Sequence, residues 1–117
     1  MSKTEIEIQR EALHDILSSI PGPAKVYYQP PASISLKYPC LLYDFEGYTA
    51  HYADNIPIFR WPEYTLTLVD KDPESIIHKR IMDLQNTNGC YIRFDRFYIA
   101  DNLNHWSYHL TFMQNMW

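Results

Sequence analysis

Glu63-Tyr64-Thr65-Leu66-Thr67-Leu68-Val69-Asp70-Lys71-Asp72-Pro73-Glu74, residues 63–74, decides the fold class. In its first seven residues Tyr64, Leu66 and Leu68 face one way and Thr65, Thr67 and Val69 the other, which is the two-residue period of a strand. The period then changes. Asp72 can accept from the unbonded N–H groups of a first helical turn. Pro73 suits that turn, because its missing N–H would find no partner there anyway. Glu74 meets the positive end of the helix dipole. Ile77, Ile81 and Leu84 continue as a buried stripe, with Ile76 and Arg80 beside it. Asn86 to Gly89 end the helix, Gly89 as a left-handed cap.

Downstream, Tyr91 to Ala100 and His105 to Met113 read as two strands, joined by a tight turn at Asp101 to Asn104. Upstream, Cys40 to Tyr52 alternates: Leu41, Tyr43 and Phe45 against Leu42, Asp44 and Glu46. Gly47 marks a bulge or bend within it. Ala53 to Pro62 holds two prolines and Asp54-Asn55, and therefore reads as a hairpin loop. That loop carries Ile56, Ile58, Phe59 and Trp61, so it must fold back on the domain or bury itself in a neighbour. Lys25 to Tyr28 is a short strand closed by Gln29-Pro30-Pro31, and residues 29–39 form a proline-containing loop. At the N-terminal end Ile6, Gln9, Leu13, Ile16, Leu17 and Ile20 recur at helical spacing, with Thr4 and Glu7 as a capping box and Pro21-Gly22-Pro23 as the stop. The order is α-β-β-β-α-β-β, an α+β chain of about five strands. The turns at Asp54-Asn55 and Asp101-Asn102 feed similar strands, consistent with two related hairpins on one antiparallel sheet.

The 117 residues, 46% of them hydrophobic, make one domain that buries a core without metal or disulfide staples. Aromatic residues are 15% of the chain, and ten are tyrosines, which suit half-buried strands and protein interfaces alike. The formal charge of −4 gives no overall excess of Lys and Arg for phosphate binding. Arg93 and Arg96 lie close together, but Asp95 stands between them. Tyr91, Phe94, Phe97 and Tyr98 lack the glycines and basic residues of an RNA-stacking platform. No apolar run reaches the roughly 18 residues needed to span a bilayer, and the opening residues are charged and polar, unlike a signal peptide. A reducing cytoplasm with free thiols is expected. Cys40 and Cys90 form no CxxC pair and read as small buried hydrophobes, although spacing alone leaves a bridge between them open.

Catalytic patterns are weak. His14 and His78 fall in helices, on or near their exposed faces, and His51 falls in the long strand. His105 and His109 share a strand face at a separation of about 13 Å, too far for ligands that each sit about 2 Å from one metal. Asp44 with Glu46, and Asp70 with Asp72, are paired carboxylates, yet the second pair has turn and capping work to do. Only three glycines occur, well separated, so no phosphate-cradling loop exists. No catalytic, cofactor-binding or metal-binding residues are assigned, and an enzyme is not expected.

The segments Lys37-Tyr38-Pro39-Cys40, Tyr52-Ala53-Asp54-Asn55, Tyr64-Thr65-Leu66-Thr67, Val69-Asp70-Lys71-Asp72-Pro73-Glu74-Ser75 and Phe97-Tyr98-Ile99-Ala100-Asp101-Asn102-Leu103-Asn104-His105 follow one another in the order seen in a known family. From about Leu36 to Phe112 the chain resembles the tail-terminator, or tail-completion, proteins of long non-contractile-tailed phages. The N-terminal helix matches only in type and place. The resemblance implies an α+β fold, with helices packed on one side of an antiparallel or mixed sheet. It implies a homo-oligomeric ring, usually a hexamer, at the head-proximal end of the tail tube. Its partners would be copies of itself, the major tail tube protein and the head–tail connector protein. DNA would meet it only in passage through the lumen, and no membrane or cofactor is involved. The protein would be assembled in the host cytoplasm and reside in the virion neck. Another neck component, a head-completion or connector protein, is the alternative, and a small nucleic-acid-binding module is a more distant one. In these terms Ile56, Ile58, Phe59, Trp61, Met113, Met116 and Trp117 are candidates for the oligomer or tube interface, or else they complete the monomer core. Asp54, Asn55, Asp72, Pro73, Asp101, Asn102 and His105 are structural turn and cap residues.

Overall fold

The structure, a computed structural model, describes residues 4–53, 56–84 and 89–113. Helix α1 spans Glu5–Ser18, strand β1 Lys25–Tyr28, β2 Cys40–Ala53, β3 Ile56–Asp70, helix α2 Ile76–Asp83, β4 Cys90–Ala100 and β5 Leu103–Phe112. The order is α-β-β-β-α-β-β, and the strands form one mixed sheet in the spatial order β1-β2-β3-β5-β4. Only β1 with β2 is parallel among the pairs; the others are antiparallel. A parallel neighbour needs a crossover, which the 29–39 loop provides. That loop is pinned where the Lys37 N–H donates to the Tyr27 hydroxyl at 3.1 Å.

The alternation read from residues 63–69 is realised on β3. Tyr64, Leu66 and Leu68 are buried on the helix-covered face with Leu41, Tyr43, Ile92, Trp106, Tyr108, Leu110 and Phe112. Leu13, Leu17 and Ile20 of α1 and its exit, with Ile77 and Ile81 of α2, close that layer. The opposite face carries a smaller apolar cluster, Tyr27, Cys40 and Val69, with Leu36 of the 29–39 loop packed on it.

Several local readings are corrected. Helix α2 starts at Ile76 with Ser75 as its N-cap, so Asp72, Pro73 and Glu74 precede it rather than form its first turn. Asp70 and Asp72 instead make consecutive side-chain turns: the Asp72 N–H donates to Asp70 Oδ1 at 3.1 Å and the Glu74 N–H to Asp72 Oδ1 at 2.9 Å. Ser75 Oγ donates to Asp70 Oδ2 at 2.6 Å and accepts from the Ile77 N–H at 3.2 Å, which locks the true cap in place. These short polar side chains compete with the helix for its own backbone groups and delay its start. The helix ends at Asp83 with Leu84 as C-cap, before the positive-φ Gly89. Asp101 and Asn102 both take positive φ, 53° and 62°, as a two-residue hairpin turn of primed type requires. At the other end Thr4 Oγ1 accepts from the Glu7 N–H at 3.1 Å and caps α1. Gly22, at φ +116°, has no room for a side chain: a Cβ would sit 2.9 Å from Ile77 Cγ1. The same turn accepts from Arg80 Nη1 at the Pro21 carbonyl, at 2.7 Å, tying the end of α1 to α2.

Cys40 on β2 and Cys90 on β4 are both free and buried. Three strand spacings separate their strands, about 14 Å, which exceeds the reach of a disulfide. Burial pushes each thiol up to about 11. Both cysteines should therefore resist alkylation in the folded protein at pH 8 and react within minutes in denaturant, as read by mass spectrometry. Leu66→Ala, which empties a fully buried position at the centre of β3, should cost about 2–5 kcal/mol in urea unfolding.

Candidate assembly surface

The long apolar loop expected over residues 53–62 is not a loop. Ile56, Ile58, Phe59 and Trp61 lie along β3, and β2 pairs with it from Cys40↔Val69 out to Ala53↔Ile56. Pairing of β3 with β5, however, stops at Glu63↔Thr111. Pairing of β1 with β2 stops at Tyr28↔Tyr43. Residues 46–53 and 56–62 thus form a two-stranded ribbon that runs past the five-stranded sheet, within a molecule 49 × 33 × 23 Å in extent. Pro62 has no N–H and stands where the β3–β5 ladder ends. An isolated two-stranded ribbon is marginal in water at best.

A bulge between Phe45 and Gly47 marks the base of the ribbon, where Gly47 takes φ +144°. Aromatic rings lead out to it. Tyr43 meets Tyr64 edge-on at 5.8 Å, Tyr64 meets Phe45 at 5.7 Å, and Phe45 meets Tyr48 at 5.2 Å. Tyr48 itself is exposed. Trp61 is half-buried and Pro62 buried. Met113 follows β5, half-buried, and its N–H donates to the Gly89 carbonyl at 2.6 Å. Asp54, Asn55, Met116 and Trp117 lie outside the described residues.

The other flank of the sheet is β4, whose outer edge is unpaired among the described residues. Sequence reading missed it as a surface. Tyr91, Phe94, Phe97, Tyr98 and Ile99 are all exposed, Ile99 to 67%. Phe94 and Phe97 pair across from the buried Tyr108 and Trp106, so they lie on the helix side of the sheet; His78 of α2 meets Phe94 edge-on at 5.2 Å, yet both phenylalanines stay exposed. Ile76, on the first turn of α2, is 54% exposed. On the helix-free face a cleft of about 340 Å³ runs along the ends of β3, β4 and β5, lined by Glu63, Tyr91, Arg93, His109, Leu110 and Thr111.

Three histidines take structural roles, and two of these correct the expectation of exposed helix faces. His14 Nδ1 and the Tyr43 hydroxyl share a hydrogen bond of 2.7 Å, and His78 Nδ1 and the Tyr108 hydroxyl one of 2.5 Å. Each helix is thus latched to the sheet through the hydroxyl of a fully buried tyrosine, which needs a partner once it leaves water. His78 also stacks on Trp106 and Tyr108. Burial among these rings holds its pKa below the ordinary histidine value. His105 Nδ1 donates to the Leu103 carbonyl at 3.0 Å and stacks on Tyr98 at 4.7 Å. Among the described residues no group of three or more His, Cys, Asp or Glu side chains could hold a metal. No described helix is long and apolar enough to cross a membrane.

Compared with known proteins, the chain matches no family model and no curated protein sequence.

The latch at His78 makes stability depend on pH. Below about 6.5, the ordinary histidine value, the unfolded chain takes up a proton that folded His78 refuses. Stability should therefore fall as pH drops through 6.5, with the contribution fully present above it. His78→Gln should be less stable than the parent at pH 8 and show a shallower loss between pH 7 and 5, measured by urea unfolding across that range.

Proposed function

We propose that this protein is a structural tail-terminator subunit of a long-tailed phage, which closes into a ring, usually of six, and caps the head-proximal end of the tail tube. The ring ends tube growth and presents a docking surface to the head connector. The observation that carries this reading is the ribbon at residues 46–62: two strands with an apolar sequence, built out beyond the last position at which their own sheet supports them. Such an element would gain its third strand from another molecule. The ordered set of segments resembling tail terminators, and the α-β-β-β-α-β-β order with both helices over one sheet face, point to the same assembly.

The mechanism is competitive self-assembly. One ring face offers what the next tube ring would offer, and the opposite face does not, so polymerisation stops. Contacts around a closed ring are heterologous, one patch of each subunit meeting a different patch of the next. Each lasting contact should bury more than about 1,000 Å². No step requires a catalytic residue or a cofactor, and the low positive charge suits a lumen through which DNA passes without sticking.

The double variant Phe59→Asp with Trp61→Asp tests the role of the ribbon. Its circular dichroism should match the parent, while light scattering and negative-stain images show loss of the ring and of binding to tube ends. Global unfolding would instead assign these side chains to the monomer core. A parent protein that stays monomeric and ignores tube ends would contradict the tail-terminator reading itself.

A further inference from the structure

We infer that adjacent copies join into one continuous sheet, with the outer edge of β2 beyond Tyr43 taking the outer edge of β4 from the next copy as its missing strand. This rests on the ring reading above and specifies its contact. Besides the outer edge of β1 and the β5-facing edge of β3 before Glu63, two stretches lack a strand partner among the described residues: β2 from Asp44 to Ala53, because β1 stops at Tyr28↔Tyr43, and β4 throughout. They lie on opposite flanks of one sheet, as a head-to-tail contact demands.

Direction and length agree. Strands β2, β3, β5 and β4 alternate in direction, so β4 runs antiparallel to β2. Copies held in the same orientation would bring them together as an ordinary antiparallel pair. The free part of β2 is shorter than β4, which spans Cys90–Ala100, so β4 can cover it fully. Strand β1 blocks β2 below Asp44, and Gln29 Oε1 occupies the Phe45 N–H at 3.1 Å. The incoming strand is thereby confined to the ribbon and its base.

Charge selects the partner. Asp44 lies opposite Thr65, Thr65 opposite His109, and His109 opposite Arg93, so Asp44 and Arg93 stand on the same helix-free face at the two flanks. Glu46 joins Asp44 on that face, where its carboxylate accepts from the Thr65 hydroxyl. Arg96, opposite Ser107, joins Arg93. All four side chains are exposed, and none makes an ion pair among the described residues. Partial desolvation, and then the charge of Glu46, raise the Asp44 carboxyl above its ordinary value. In the antiparallel register that clears β1, with Ala100 beside Asp44, Arg96 stands within two residues of Glu46 across the junction, whereas two β4 edges paired with each other would bring Arg93 and Arg96 together; this favours a head-to-tail ring over a dimer of β4 edges. On the other face, Phe94, Phe97 and Ile99 would bring exposed apolar surface against the ribbon.

The test is a charge exchange read by light scattering and native mass spectrometry. Asp44→Lys with Glu46→Lys, and separately Arg93→Glu with Arg96→Glu, should each give a folded protein that has lost the parent's oligomer. Mixing the two should restore an oligomer of alternating subunits, because each altered edge then faces an oppositely charged one. If either variant assembles as the parent does, or if the mixture stays dissociated, the β2–β4 pairing is overturned while the ring reading survives. If the parent itself is monomeric at every concentration and with tubes present, the ring reading fails first and this contact with it.

Discussion

Strand β3 is paired on both sides only from Glu63 to Val69; before Glu63 it has β2 alone. This change from two partners to one organises the molecule. Where β3 is paired twice, its alternation separates a helix-covered layer from a thinner second face, and Tyr64, Leu66 and Leu68 become the centre of the core. Where it is paired once, the chain still forms a strand, but one of its backbone edges has no strand partner among the described residues. The first stretch makes the monomer core, and the second is the element through which we propose that copies associate.

The core is held by polar groups as well as apolar ones. Three tyrosines, Tyr43, Tyr64 and Tyr108, sit fully buried. Two of them spend their hydroxyls on histidines from the two helices, so each helix has a specific seat as well as a hydrophobic one. Non-directional burial would allow a helix to slide or turn over the sheet, whereas a hydrogen bond to a fixed hydroxyl does not. The Asp70, Asp72 and Ser75 turn and Asn104, whose Nδ2 donates to the Asp70 and Lys71 carbonyls at 3.2 and 3.1 Å, do the same for the entry to α2. Fixed helix seats would suit the proposed ring, in which the edges of neighbouring copies meet in one register.

The parts legible in the sequence are those fixed by local period. Residues 63–69 alternate without exception, the α1 stripe repeats at helical steps, and Asp101-Asn102 is made of residues that tolerate positive φ. The misreadings share a cause: local chemistry was outvoted by tertiary context. Pro57 and Pro62 argue against a strand, yet β3 keeps its shape through both, because over that stretch only β2 needs its N–H groups. Asp72-Pro73-Glu74 is good helix-start chemistry, but Asp70 and Asp72 use their carboxylates on the turn itself and hand the cap to Ser75. His14 and His78 border their apolar stripes, and what draws them inward is a tyrosine hydroxyl on a distant strand, at sequence separations of 29 and 30. A buried strand tyrosine is the only sequence signal for such a partner. The exposed row on β4 was unreadable for another reason: its residues are ordinary strand aromatics, and only the strand order reveals that they sit at an uncovered flank.

Amide hydrogen exchange measured as a function of protein concentration addresses the central claim most directly. If a neighbouring molecule completes the ribbon, amides of residues 46–53 and 56–62 should exchange quickly at dilutions where the protein is monomeric and slow markedly as it associates, while amides of residues 63–70 stay protected throughout. Equal protection of both stretches in the dilute monomer, unchanged on association, would mean that the ribbon is self-sufficient and that its reach beyond the sheet has nothing to do with assembly.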